Sequence, residues 1–288
     1  MDILISGIQL GAIYAILAIG FSLILGSARI VFLTYAAFYM LVGYFCYIVN
    51  SMFGMNLVLS ASLAVVMTVA LGIGTYKLCV ERIRQHETTV ILITLVLAFF
   101  FQECVLLGFG SQHRNVPPFI PGFVEVLGVK VLNQYSLTLA VSLVLIFLIW
   151  LFLWKTKLGI AIRATSQDRE VVNLMGINEK RISMIAVGLG IGLAAIAGVM
   201  VAPIYLLEPT MWTEPFVMIL AAVILGGLGS IKGSIIGAYI LAYAQVVLVY
   251  MVPMGTFIRS AVALAAMIIV LMIRPEGMFG VLFEEERL

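Results

Sequence analysis

From Ile3 to Gly26 the chain runs 24 residues without a charge. As a helix rising 1.5 Å per residue, that run is about 36 Å long, enough to cross a hydrocarbon core of about 30 Å. It has no basic stretch ahead of it and exceeds the apolar core of a secretory signal, so it reads as a first span that stays in place. The pattern then repeats. Apolar segments follow near 30–50, 56–79, 88–110, 135–154, 183–206, 212–229, 233–252 and 257–273. They are continuous rather than alternating, which excludes a β-barrel. Backbone polar groups in lipid must be paired within the segment, which makes helices the default. With 64% apolar and 10% charged residues against about 25% charged in a soluble domain, the chain cannot hide its apolar surface in a water-soluble core. The expected fold is an all-α integral membrane protein, a single polytopic helix bundle over 1–288 with about 8–9 membrane segments, some short or broken.

Two segments complicate the count. Residues 216–229 are short and end in glycines, and 30–45 carry Thr34, Tyr35, Tyr39 and Gly43. Short or interrupted segments in corresponding places of two halves are how transporters build a site at mid-membrane. Orientation follows from Lys and Arg. With nine alternating spans, thirteen of the sixteen basic residues fall on one side and Arg114, Lys130 and Arg259 on the other. With eight, the split is eleven to five. Both place the 155–182 connector in the cytoplasm. With nine, the N-terminus is outside and the EEER tail inside. The longest polar stretch outside is 111–134. Its Pro117, Pro118, Pro121 and Gly122 keep it irregular, and VEVLGVKVL predicts a short hairpin turning at Leu127-Gly128.

The connector 155–182 is the one long polar break, with nine of the chain's 30 charged residues. A short helix near 167–175 is punctuated within it. Ser166 is the expected N-cap, and Asp168 and Glu170 fall in the first turn, where the helix dipole favours anions. Val171, Leu174 and Met175 form one small apolar face. Gly176 is the expected stop, with Ile177 closing over the last turn. A capped amphipathic helix outside the bilayer suits a protein partner; the plainer alternative is an ordinary loop with a helical turn.

Other chemistry is sparse. Cys46, Cys79 and Cys104 lie in or beside apolar runs without metal-ligand or CxxC spacing, and read as small hydrophobes. His86 and His113 are far apart, so neither a metal site nor a catalytic set can be assembled, and no cofactor is implied. The scattered charge gives no nucleic-acid surface. Glu103, preceded by Gln102, is the one acid well inside an apolar run, and an intramembrane carboxylate points to function. The alternative is that it reaches water at the outer face. Gln9, Thr34, Tyr35, Thr94, Tyr243 and Gln245 could also line a polar path, although each alone is more often a helix–helix hydrogen bond. Gly226, Gly229, Gly233 and Gly237 stand at the small-xxx-small spacing that lets helices approach closely. Their run lacks the GK[ST] ending of a phosphate loop.

With these pieces in place, the chain resembles the smaller permease of branched-chain (hydrophobic) amino-acid ABC uptake transporters over nearly its whole length. GAIYAILAIGFSLILGSARI is similar to the family's opening pattern. AIRATSQDREVVNLMGINEKRI is similar to its cytoplasmic loop, as RA-x-x-x-x-RE-x-x-x-x-MGI-N. VILGGLGSIKGSIIGA and IRPEGMFG are similar to its two late motifs. The resemblance implies that the 167–175 helix is a coupling helix docking on an ATPase. Arg169, Glu170, Val171, Leu174, Met175 and Gly176 would carry it, with Arg169 and Glu170 at the rim. It implies a second homologous permease, two cytoplasmic ATPases and a periplasmic solute-binding protein as partners, an inner-membrane location and no catalysis in this chain. One motif departs. Where the family reads R-[IV]-[IV]-N-F-A-H-G-[DE], this chain continues from Val31 with Phe32-Leu33-Thr34-Tyr35-Ala36-Ala37. The substrate is therefore open among branched-chain amino acids, urea, short amides and aromatic carboxylates.

Three readings compete: an ABC importer permease, an ion-coupled secondary transporter working through Glu103, and a membrane-embedded enzyme. The capped connector helix favours the first. The lack of paired intramembrane carboxylates or histidines weighs against the second, and the lack of a nucleophile–base set against the third. Thr34, Tyr35, Gln102 and Glu103 are the expected contribution to a path shared with the second permease.

Overall fold

A computed structural model describes residues 2–84, 86–126 and 129–251, together with 261, 264, 265, 268, 269, 272, 277 and 278. The last expected span, near 257–273, falls largely outside the described residues, as do the Leu127-Gly128 turn and the EEER tail. In chain order the elements are α1 (Asp2–Ala28), α2 (Tyr35–Tyr47), α3 (Leu57–Thr75), α4 (Glu87–Phe109), β1 (Phe123–Val126), β2 (Val129–Leu132), α5 (Asn133–Lys155), α6 (Lys157–Gln167), α7 (Arg169–Leu174), α8 (Glu179–Val201), α9 (Thr213–Gly226) and α10 (Ile231–Met251). Short π-helical segments, Ile48–Met52 and Tyr76–Val80, extend α2 and α3. Among the described residues seven helices are long and apolar enough to cross a membrane, and α9 is a shorter apolar helix.

Small residues decide which helices meet. Gly7 and Gly11 of α1 lie against the rings of Tyr243 and Tyr239 on α10, so these two helices run antiparallel. A side chain on Gly190 of α8 would meet the Gly20 carbonyl of α1 at 2.7 Å, and one on Gly20 would meet the Gly190 carbonyl at 2.9 Å. Without a hydrophobic force between helices in lipid, such close backbone approach is what holds them. α2 fits between α3, α4 and α8. Eleven of its thirteen residues are buried, Tyr35 and Phe38 almost completely.

The bundle has two ends. One carries the start of α1, the end of α10 and the β1–β2 hairpin, whose antiparallel register pairs Phe123 with Leu132 and Glu125 with Lys130. The other carries the end of α1 and the α6–α7 connector, where Gly26 sits beside Ser166 and Gly229. α9 bears on the eight-or-nine question. Its first turn faces the hairpin end, through Glu214, and its last residue packs on α10 at the connector end, so it runs through the bundle rather than dipping and returning. At about 1.5 Å per residue its 14 residues reach only some 21 Å. The irregular stretch from Ala202 to Trp212 makes up the difference, sunk into the hairpin end by paired backbone bonds between Arg114 and Leu207.

The glycine run works in two ways. Side chains on Gly226 or Gly233 would each collide with the other's backbone, and one on Gly237 would collide with the Ala222 carbonyl. Gly229 differs from its expected packing role. A side chain there would have ordinary room, but its φ of +79° lies where L-residues are strained. Its requirement is the turn between α9 and α10. The Leu225 carbonyl, in the last turn of α9, accepts a bond from the Met278 N–H at 2.9 Å, which pairs one of the carbonyls a helix end leaves open.

Candidate functional site

Two features stand out, one at each end. At the connector end, α6 and α7 lie across the end of the bundle. Thr156 caps α6, its hydroxyl accepting from the Gly159 N–H at 3.0 Å. Arg163 is held by the Leu153 carbonyl at 3.0 Å and lies 4.1 Å over the Trp154 ring. Ser166 is not the N-cap of the next helix. It lies in the last turn of α6, its hydroxyl donating to the Arg163 carbonyl. Asp168 takes the role instead, accepting from the Val171 N–H at 3.1 Å. Both residues are good caps by type, and only the length of α6 decides between them. The end of α7 follows its sequence closely. Gly176 has a φ of +79°, its N–H bonds the Asn173 carbonyl, and the Ile177 N–H bonds the Val172 carbonyl at 3.2 Å. These are the two bonds of a Schellman termination.

α7 has an inner and an outer side. Val172 is 3% exposed, whereas Val171, Leu174 and Met175 are 44, 87 and 74% exposed. Arg169 is not at an outer rim. Its guanidinium turns inward, donating to the Ser27 carbonyl at the end of α1 at 2.8 Å and standing 3.9 Å from the Glu179 carboxylate. Burial pulls its pKa below the ordinary arginine value, and the Glu179 charge opposes the shift. Glu179, at the start of α8, also pairs with Arg84, which follows α3. Arg29, in the left-handed region at φ +48°, donates to the Gln167 carbonyl at 3.2 Å. The connector is thus strapped to α1, α3 and α8, with one small apolar patch turned away. The side chain of Glu170 lies outside the described residues.

At the hairpin end a cavity of about 970 Å³ opens between the start of α1, the end of α10, the hairpin and the start of α9. A hydrogen-bond chain crosses it. The Tyr14 hydroxyl donates to the Gln245 side-chain oxygen at 3.1 Å, and the Gln245 amide donates to Glu214 at 2.8 Å. Gln9 and the Tyr39 ring also line it, and at the mouth His113 stands 3.9 Å from Glu208. Gln9 and Gln245 were expected on a polar path.

The four residues expected to form that path do not line the cavity. Thr34 is fully buried and donates to the Thr94 carbonyl at 2.6 Å; Tyr35 donates to the Leu17 carbonyl at 2.9 Å. They bolt the α1–α2 link to α4 and α1. Gln102 accepts from the Trp212 indole N–H at 2.8 Å, tying α4 to the stretch before α9. Glu103 is exposed on α4, whose buried side runs through Val90, Thr94, Ala98, Phe101 and Val105. Of the cysteines only Cys46 is buried; Cys104 is exposed.

Glu214 is the residue that sequence reasoning passed over. It sits at the edge of an apolar run rather than inside one. The available signal was the shortness of that run: a half-length helix must begin inside the bundle, and an acid in its first turn is carried there with it. Pro215 is compatible with this start, because a proline in the first turn costs no helical bond. Among the described residues no group of three His, Cys, Asp or Glu could hold a metal ion.

Known transport proteins are similar to this chain along most of its length. The family model described as "Branched-chain amino acid transport system / permease component" matches residues 3–271. The high-affinity branched-chain amino acid transport system permease protein BraD of Pseudomonas aeruginosa is 28% identical, covering 96% of this chain and 94% of its own. The corresponding permease protein LivH of Escherichia coli is 26% identical with the same coverage. A probable branched-chain amino acid transport permease protein LivH of Methanocaldococcus jannaschii is 29% identical over 80% of this chain and 76% of its own. Among solved structures, PsaBC from Streptococcus pneumoniae in complex with Fab shares the fold, with a TM-score of 0.54 at 14% identity over 96% of this chain and 93% of that one. A helix bundle with a strapped connector at one end and a polar cavity at the other, matched along nearly its whole length, belongs to the branched-chain amino acid transport system permease family.

Proposed function

We propose that this chain is the membrane-spanning permease subunit of a binding-protein-dependent ABC importer in the bacterial inner membrane. ATP hydrolysis resides in separate subunits, and the chain has no catalysis of its own. Its partners are a second, homologous permease, two cytoplasmic ATPases and a periplasmic solute-binding protein. α7 is the coupling element. The connector faces the cytoplasm, the N-terminus and the hairpin face outside, and the cavity at the hairpin end receives solute from the binding protein. The relatives' names point to branched-chain amino acids or a closely related small solute.

The observation that carries this reading is the two-sidedness of α7. Val172, Arg169 and the Arg84–Glu179 pair fix it to three helices, while Val171, Leu174 and Met175 stay open. A helix clamped on one side and apolar on the other is suited to pass a push from a soluble partner into the bundle. The alternative, an ion-coupled transporter working through Glu103, loses its support because that carboxylate does not line the cavity.

The test is uptake by proteoliposomes holding the permease with its ATPases, second permease and binding protein. With ATP inside and no ion gradient, L-leucine or a close analogue accumulates. Accumulation that needs an ion gradient and ignores ATP would overturn the reading.

A further inference from the structure

The hairpin-end cavity has a chemical bias. Its described lining includes two carboxylates, Glu208 and Glu214, and no Lys or Arg. Gln245 holds one oxygen of Glu214 and so fixes the orientation of the group. Glu214 lies in the first turn of α9, at the positive end of the helix dipole. A carboxylate oriented in a partly apolar site attracts a cationic or hydrogen-bond-donating group more strongly than it would in water.

Two further polar groups face the same space. Gln9 is 9% exposed and Tyr39 4% exposed, and both line the cavity. Gln9 and Tyr39 thus bring an amide and a hydroxyl to the cavity wall. Tyr14 and Gln245, also on the wall, are bonded to each other. Beside these groups stand the apolar side chains of Leu10, Ile13, Val246 and Val249. The combination is an acid, an amide and a hydroxyl on the wall, and an apolar surface beside them, open to one side.

We propose that this cavity is a solute-binding site selective for the ammonium end of a small amphiphilic solute. Glu214 is the charge partner, Gln9 and Tyr39 supply further hydrogen bonds, and the apolar wall takes the solute's hydrocarbon part. A carboxylate on the same solute points to the open mouth, since the described lining offers it no Lys or Arg. Aromatic carboxylates without an amine are rejected, and a zwitterionic amino acid enters amine first. The choice of solute class rests on the importer reading; the charge preference of the cavity does not.

Thiol-labelling rates test it on the full chain in lipid nanodiscs. Val249→Cys, in a background with Cys46, Cys79 and Cys104 replaced by Ala, puts a reporter on the cavity wall. Labelling by the cationic 2-aminoethyl methanethiosulfonate should exceed that by the anionic sulfonatoethyl reagent on the order of tenfold, after normalising each to a free thiol, as focused fields in clefts do. Glu214→Gln should abolish most of that ratio and Glu103→Gln should leave it unchanged. L-Leucine and 3-methylbutylamine should slow labelling, and 4-methylpentanoate should not. Gln9→Leu, which preserves bulk, should weaken protection by L-leucine.

Equal rates for the two reagents, a ratio that survives Glu214→Gln, or protection by 4-methylpentanoate as strong as by L-leucine would each overturn the site. If labelling behaves as expected but the reconstituted complex shows no ATP-driven uptake, the importer reading fails and the site stands. If uptake is normal and labelling shows no charge preference, the reverse holds.

Discussion

α2 and α5 are both apolar helices of this bundle, yet they occupy opposite environments. Among the described long helices α5 has the highest mean hydropathy, 2.7, and only 17% of its most apolar stretch is buried. The stretch containing α2 has the lowest, 1.2, and is 67% buried. α5 turns Leu143, Val144, Phe147, Leu148 and Trp150 outward, whereas α2 keeps Tyr35, Tyr39 and Tyr44 inside. In water the order would be reversed. In a bilayer the lipid accepts large apolar side chains at no cost, so burial falls to helices with small residues and polar groups that can be paired. α8 follows α2 in this respect, and α3 and α4 follow α5.

The comparison can be broken most forcefully with one substitution made in both environments. Gly233→Leu places a side chain against the Gly226 backbone, where nothing flexible can move aside. Overpacking typically costs about 1–3 kcal/mol, and more where backbones collide, so folded protein should largely disappear. Gly108→Leu adds the same side chain to α4 in open space and should leave yield and thermal stability unchanged. Size-exclusion profiles of the two detergent-solubilised variants decide it. Similar losses in both would show that helix identity, not backbone approach, sets the tolerance.

A smaller effect is expected at the straps. Glu179→Gln leaves the Arg84 and Arg169 guanidinium groups, both mostly buried, without their counter-charge. Breaking a buried pair from one side costs roughly 3 kcal/mol or more, and here the loss falls on the docking of α7 rather than on the spans. Amide exchange in 168–178 should therefore accelerate while exchange in α1 and α8 holds. Uniform acceleration would assign the pair to the bundle as a whole.

The outer side of α7 comes next. A buried interface anchor costs about 2 kcal/mol or more when removed. Leu174→Asp should thus reduce co-purification of the ATPases and uptake together, with the thermal stability of the permease itself preserved. Val172→Asp, on the strapped side, should lower that stability as well. Wild-type co-purification and uptake for Leu174→Asp would show that the exposed patch is not the contact.

The seven long spans among the described residues were legible in the sequence because they depend only on length and the absence of charge. So was the stop at Gly176, since a left-handed residue after an amphipathic turn has few alternatives. The hairpin at Phe123–Leu132 was legible for its β-prone runs. Which polar residues face a cavity was not. Thr34, Tyr35 and Gln245 look alike in the sequence: each is one polar residue in or beside an apolar run. Their fates depend on whether a neighbouring carbonyl lies in reach, as Thr94 and Leu17 do for the first two. The Arg169 strap was hidden for a related reason, because its partners, Ser27 and Glu179, lie on other elements, and Ser27 is 142 residues away. Gly229 stood at the right spacing for packing and serves a turn, since spacing does not report φ.

The smallest effect sharpens the comparison best, because it concerns a charge on an outward-facing helix. Glu103 is exposed on α4, with the Gln102 amide 3.5 Å from its carboxylate and the Trp212 indole holding Gln102 in turn. It lies seven residues from the end of the hydrophobic stretch, toward the end of the bundle that carries the cavity, yet outside the cavity itself. A carboxylate so placed reaches the interface with its short side chain at modest cost. If it carried protons across, Glu103→Gln would abolish uptake and make the remainder insensitive to a proton gradient. In an ATP-driven permease the same substitution removes one exposed charge and leaves the Trp212–Gln102 bond in place. ATP-driven uptake should therefore stay within about twofold of wild type, since exposed charges away from a buried network are worth under about 0.5 kcal/mol. Glu214→Gln in the same assay should weaken uptake by more. A larger loss at Glu103 than at Glu214 would mean that the solute path runs along the outside of α4, against the second permease, and that the cavity at the hairpin end is only an antechamber.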